Sequence, residues 1–196
     1  MEQELLVQKI LKTLRDNHVD FVVVGGYAWE HNVMPVGTID LDIMILSRDY
    51  DDMLNQMPLM LRQKNIFAEL VQRDPIMSLI RTSYGGMSVE LELINSKYYS
   101  TSNKDFLVYT KQYRSNLANG IYYAKPELIW YMRLYLPDWE VYIIKCLREL
   151  VLAYQYRRFR IKLSDIIEIS EVFGTQQMIK PRVKVLMKYL RIRRFR

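Results

Sequence analysis

The sequence predicts an α+β protein in which a mixed β-sheet with flanking helices is followed by a helical region. Three observations carry this expectation. The short strand-like runs FVVVGG, TIDLDIMIL and MSVELELI, bounded by glycines and turn residues, all lie before residue 120. Beyond Pro126 only helix-length amphipathic segments follow. Half of the 196 residues are hydrophobic, so a sizeable core forms without disulfide staples. We therefore expect a sheet domain over 1–120 and a helical domain with a basic tail over 121–196.

The spacing predicts a first helix from Gln3 to Arg15, with Leu6, Ile10 and Leu14 on its buried stripe. DNHVD is a turn, FVVV a buried strand, and a short helix starts at Tyr27. In TIDLDIMIL one face carries Thr38, Asp40, Asp42 and Met44, and the other Ile39, Leu41, Ile43 and Ile45. Ser47 stands at an N-cap position before a helix from Asp49 to Gln63. IFAELVQ and PIMSLIRTS are further strands. Gly85-Gly86 turns the chain into MSVELELI, where Val89, Leu91 and Leu93 oppose Glu90, Glu92 and Ile94. Ser96 to Asn119 is a polar, tyrosine-rich connector, and GIYYAK a last short strand. PELIWYMRLYL, DWEVYIIKCLRELVLAYQY, KLSDIIEISEVF and KPRVKVLMKYL then form helices, with Gly174 ending the third.

Composition narrows the function classes. The net charge of +6 is local: residues 181–196 hold seven of the 28 Lys/Arg and no acid, leaving 21 bases against 22 acids elsewhere. A general nucleic-acid-binding surface is thereby excluded, while the tail RIRRFR is a candidate contact for RNA phosphates. The single Cys146 sits in a helical stretch as a buried thiol, which fits a reducing compartment. The N-terminus interleaves charged and apolar residues, unlike a signal peptide, and no apolar run has the length of a membrane span. A cytoplasmic protein without a membrane partner is expected. His18 and His31 lack partners at zinc-ligand spacing.

Asp40 and Asp42 are the residues that call for explanation. On a strand, i and i+2 share a face, so their carboxylates repel unless a cation lies between them. A divalent metal answers that need; two solvated acids on a strand edge are the plainer alternative.

Gly25-Gly26-Tyr27-Ala28, a helix, then Pro35-Val36-Gly37-Thr38-Ile39-Asp40-Leu41-Asp42 resembles the opening of the nucleotidyltransferase fold typified by DNA polymerase β. It is most similar to the minimal and abortive-infection toxin nucleotidyltransferases, whose pattern is GG-x-A, a helix and P-R-x-T-x-D-x-D. The resemblance covers residues 19–46 closely and the remainder by element order. It implies an Mg²⁺- or Mn²⁺-dependent transfer of a nucleoside monophosphate from an NTP to an acceptor hydroxyl on RNA, protein or a small molecule. Asp40 and Asp42 would bind metal, with a third carboxylate on a neighbouring strand. Glu90 is preferred for that place, with Glu92 on the same face. Gly25, Gly26 and Thr38 would border the triphosphate. A cation on a later helix, Lys145 ahead of Arg133, would contact nucleotide, with the Asp165-Ile166 pair beyond it.

Two positions depart from the pattern: Val36 replaces the usual arginine, and a glutamate replaces the third aspartate. They motivate a second expectation, a catalytically degenerate module that binds RNA or protein. A toxin of a toxin–antitoxin pair, with an antitoxin protein as partner, is a third.

Overall fold

The computed structural model describes residues 2–45, 50–101, 105–157 and 161–193. The Ser47 cap and part of the tail RIRRFR lie outside these residues. Helix α1 (Glu2–Asp16) buries Leu6, Val7, Ile10, Leu11 and Leu14 along one stripe, as its 3.6-residue period requires. Strand β1 (Phe21–Val23) is wholly buried, and α2 (Gly25–Asn32) starts directly at the glycine pair. Strand β2 (Asp40–Ile45) alternates half-buried Asp40 and Asp42 with buried Leu41 and Ile43. Ile39, expected on the core face, is 66% exposed because the strand begins one residue later.

Helix α3 (Tyr50–Arg62) follows, then β3 (Phe67–Gln72), β4 (Met77–Tyr84) and β5 (Met87–Asn95). The Tyr50 hydroxyl lies within hydrogen-bond distance of the Asp74 and Leu93 carbonyls and Ser78 Oγ, fixing α3 to the turn before β4. The expected connector contains more order than its composition shows. A 3-10 turn (Ser96–Tyr99) is capped by Asn95, and α4 (Phe106–Tyr113) is capped by Asp105, which accepts from the Val108 N–H. Strand β6 (Ser115–Ala118) then pairs antiparallel with β7 (Ile121–Ala124).

Among the described residues seven strands form one sheet in the order β3-β4-β5-β2-β1-β7-β6. The β2–β5 and β1–β7 pairs are parallel and the others antiparallel. Strand β7 begins at the expected division near residue 120 and belongs to the sheet. Helices α5 (Pro126–Tyr135), α6 (Trp139–Arg157), α7 (Leu163–Val172) and α8 (Gln176–Arg193) complete the chain. Pro126 at the start of α5 costs no hydrogen bond, since the first turn has no intrahelical acceptor for its nitrogen. Leu128, Ile129, Trp130, Tyr131 and Leu134 bury α5 between the sheet side and the other helices. Among the described residues no helix is long and apolar enough to cross a membrane.

Candidate active site

The parallel register of β2 and β5 brings the acids together. Asp40 stands opposite Glu90, and Asp42 opposite Glu92. A cleft of about 350 Å³ opens over the second of these levels, lined by Gly25, Gly26, Thr38, Asp40, Asp42 and Glu92 on the sheet side. Glu92 therefore lines the cleft together with Asp40 and Asp42. Glu90, preferred from sequence, lies outside the lining and is exposed, one step nearer the start of the strand. The two acids share a face, so alternation cannot rank them; of the two, Glu92 lines the cleft. The signal that distinguishes Glu92 is its position next to Ile94, at the end of the face that enters the cleft.

Asp42 and Glu92, on neighbouring strands, perturb each other's carboxyl. Burial pushes the Glu92 carboxyl up to about 8, reinforced by the Asp42 hydrogen bond and the charges of Asp42, Asp40 and Glu90. Burial also raises Asp42, together with the Asp40 charge. The Glu92 hydrogen bond, the Gly26 N–H and the Lys145 charge oppose that rise. Burial and mutual repulsion thus raise both carboxyls of the pair. Among the described residues no three His, Cys, Asp or Glu side chains are arranged to hold a metal ion. The donor chemistry nevertheless fits one. Asp40, Asp42 and Glu92 offer the hard oxygens that Mg²⁺ or Mn²⁺ takes.

The glycine pair is shaped by these neighbours. Gly25 has φ +59°, and a Cβ there would lie 1.8 Å from Asp42 Oδ2. A Cβ on Gly26 would lie 2.5 Å from Thr38 Oγ1. Only glycines let the backbone come this close. The Val24 N–H also donates to the Asp42 carbonyl at 3.0 Å, so the turn is tied to β2 through one residue. Val24, at the N-cap of α2, supplies no side-chain cap, so the helix opens its first N–H groups beside the cleft.

Val36 leaves its loop without an arginine, and Glu30 steadies it instead. One carboxylate oxygen of Glu30 accepts from the N–H groups of Val36, Gly37 and Thr38 at 2.9, 2.7 and 3.3 Å. Thr38 Oγ in turn donates to the Asp40 carbonyl at 3.3 Å. Glu30 escaped the sequence reading; its place four residues after Gly26, on the same helix face, is the available signal.

The opposite wall comes from the helices. Arg133, Tyr142 and Lys145 line it, so both candidate cations reach the cleft. They differ in availability. Arg133 is 6% exposed and pairs through both terminal nitrogens with buried Glu149, beside Cys146 Sγ. Lys145 is exposed, and its charge acts on Asp42. The Cys146 thiol is pushed up to about 11 by burial, which leaves it a packing residue. Asp165 lies outside the cleft lining: it accepts from Arg114 at 3.1 Å, while Ile166 is fully buried.

This architecture is similar to that of ANT(2'')-Ia solved in complex with adenylyl-2''-tobramycin. The TM-score is 0.54 at 13% identity, covering 90% of this chain and 99% of that one. A solution structure of the antibiotic-resistance factor ANT(2'')-Ia gives 0.54 at 16% identity, covering 97% of each chain. No protein-family model and no curated protein matches the sequence.

Proposed function

We propose, starting from the nucleotidyltransferase fold that this chain has, that the protein moves a nucleoside monophosphate from an NTP to an acceptor hydroxyl. The observation that carries this reading is the convergence of Asp40, Asp42 and Glu92 with an uncapped helix N-terminus and Lys145 in one cleft. In the reaction, the acceptor oxygen bonds to the α-phosphorus, the bond to the bridging oxygen of the β-phosphate breaks, and pyrophosphate leaves. The acceptor's proton passes to an ionised carboxylate of Asp40 or Asp42. The α2 N–H groups and Lys145 offset the triphosphate charge. Mg²⁺ or Mn²⁺ held by Asp40, Asp42 and Glu92 would supply further positive charge at the reacting phosphate.

Replacing Asp40 and Asp42 together by Asn tests the assignment. Mg²⁺-dependent NTP binding and transfer of α-label are both expected to disappear, while the fold survives because two crowded charges have been removed. A double variant that binds Mg·NTP like the parent refutes the site.

Val36 in place of arginine and a glutamate in place of the third aspartate support a second reading, a binding module without turnover. In that case NTP protects the protein against heating equally with and without Mg²⁺, and no label is transferred. The acceptor hydroxyl belongs to RNA, a protein or a small molecule. An RNA partner is supported by the exposed Lys180, Lys184 and Lys188, one turn apart on α8 just ahead of the basic tail.

A further inference from the structure

Two side chains on the outside of the helical half take no part in the cleft. Val141 and Ile144 on α6 are 68% and 70% exposed, more than any other large hydrophobic side chain among the described residues. They stand about one turn apart and share a face of the helix. Ile143, Cys146, Leu147 and Ala153 bury the opposite side of α6 against the core. One exposed apolar residue needs no explanation, but a pair on one stripe gives the helix a second hydrophobic side.

The charges around this pair fit one occupant. Glu140 lies four residues before Ile144 and Arg148 four residues after it, so the three follow one another along the same stretch of surface. Both charged residues are exposed, and among the described residues neither has an ion-pair partner. Lys145, the other exposed cation here, lines the cleft, where its charge acts on Asp42. Outside the cleft the surface therefore runs acid, apolar, base, with Ile144 at its midpoint. Such a stripe is complementary to itself in one direction only. A second copy turned end for end about an axis through Ile144 sets Ile144 against Ile144 and each Glu140 against the other copy's Arg148. A parallel copy would oppose like charges at both ends. The antiparallel arrangement also opposes the two helix dipoles.

We propose that α6 is a homodimer interface, in which two copies of this chain pack their α6 helices antiparallel about a two-fold axis at Ile144, burying Val141 and Ile144 and closing two Glu140–Arg148 ion pairs. One helix face per copy is a small interface, so the dimer is weak, with a Kd on the order of 10–100 µM. The axis doubles the effect of every substitution, because each change enters the seam twice.

Sedimentation equilibrium of the full-length protein from about 1 µM to about 1 mM brackets that affinity. The parent should pass from monomer to dimer and go no further. Ile144→Glu should weaken the dimer about a hundredfold, since an apolar side chain is lost from both copies. At a concentration where the parent is monomeric its melting temperature should match the parent's, because the side chain is exposed in the monomer. Glu140→Arg and Arg148→Glu should each weaken the dimer about tenfold, and the two together should recover most of the loss. An equimolar mixture of the two single variants should associate more tightly than either alone, because each alone opposes like charges and the mixture opposes unlike ones. A parent that stays monomeric throughout assigns the face to a different protein and overturns the dimer. A dimer that is as strong in Ile144→Glu as in the parent has its interface elsewhere and overturns it too. Loss of the dimer in Ile144→Glu with no recovery in the double charge variant overturns the antiparallel pairing.

Discussion

At the scale of single residues, the raised Glu92 carboxyl links stability to pH. The Glu92 carboxyl rises from its ordinary 4.5 to about 8 in the folded protein, so folding takes up a proton within that window. Its stabilising contribution is fully present below about pH 4.5 and is lost as pH rises through about 8. In chelator, Glu92→Gln should therefore match the parent's melting temperature near pH 4.5 and exceed it near pH 8.5. A parent and variant whose difference is the same at both pH values would show that Glu92 does not titrate this way. Gly25→Ala makes the complementary point. A Cβ is strained at φ +59° and meets Asp42 Oδ2, so a loss of about 1–2 kcal/mol in urea unfolding is expected, together with loss of NTP binding.

Strands and helices decide which residues meet, and here the sequence was legible in part. The alternation in TIDLDIMIL and MSVELELI located β2 and β5 and put both acid pairs on one face. It could not rank Glu90 against Glu92, because both satisfy a period of two and both stand opposite an aspartate; of the two, Glu92 lines the cleft. The first helix and the long helices after Pro126 were plain from their apolar spacing. The helix α8 starts at Gln176, ahead of the expected Lys180, and carries Pro181 in its interior. Helix α4 and β6 were hidden: α4 has eight residues, and β6, SNLA, exposes Leu117 and Asn116 at the sheet edge. The loop bearing Thr38 belongs to this scale too. Glu30→Ala should cost about 1–3 kcal/mol and weaken NTP binding, because three N–H groups lose one charged acceptor. Unaltered urea midpoint and affinity would mean that the loop keeps its form without Glu30.

Over the whole molecule, two interactions tie the helical half together beneath the cleft. Arg133 on α5 and Glu149 on α6 are both nearly buried, so Glu149→Ala should strand a cation and lower stability by about 3–5 kcal/mol, measured by urea unfolding. Replacing both by apolar residues of similar size should restore most of the loss. Arg182 on α8 donates to the Leu134 and Leu136 carbonyls, which the end of α5 leaves without helical partners. Charge is divided just as unevenly, with the basic excess confined to 181–196. If RNA is bound there, removing residues 191–196 should weaken RNA binding and flatten its salt dependence while NTP binding survives; equal salt slopes would assign the segment another role. The strand order has a consequence during synthesis. Translation delivers β1 and β2 first, yet β5, the second neighbour of β2, follows only at Met87–Asn95, and β7, that of β1, at Ile121–Ala124. Until then the nascent chain presents a short apolar ribbon with both hydrogen-bonding edges bare. The interval before Asn95 emerges from the ribosome is when this protein most needs a chaperone's cover, and slowing translation within that interval would lengthen the exposure rather than relieve it.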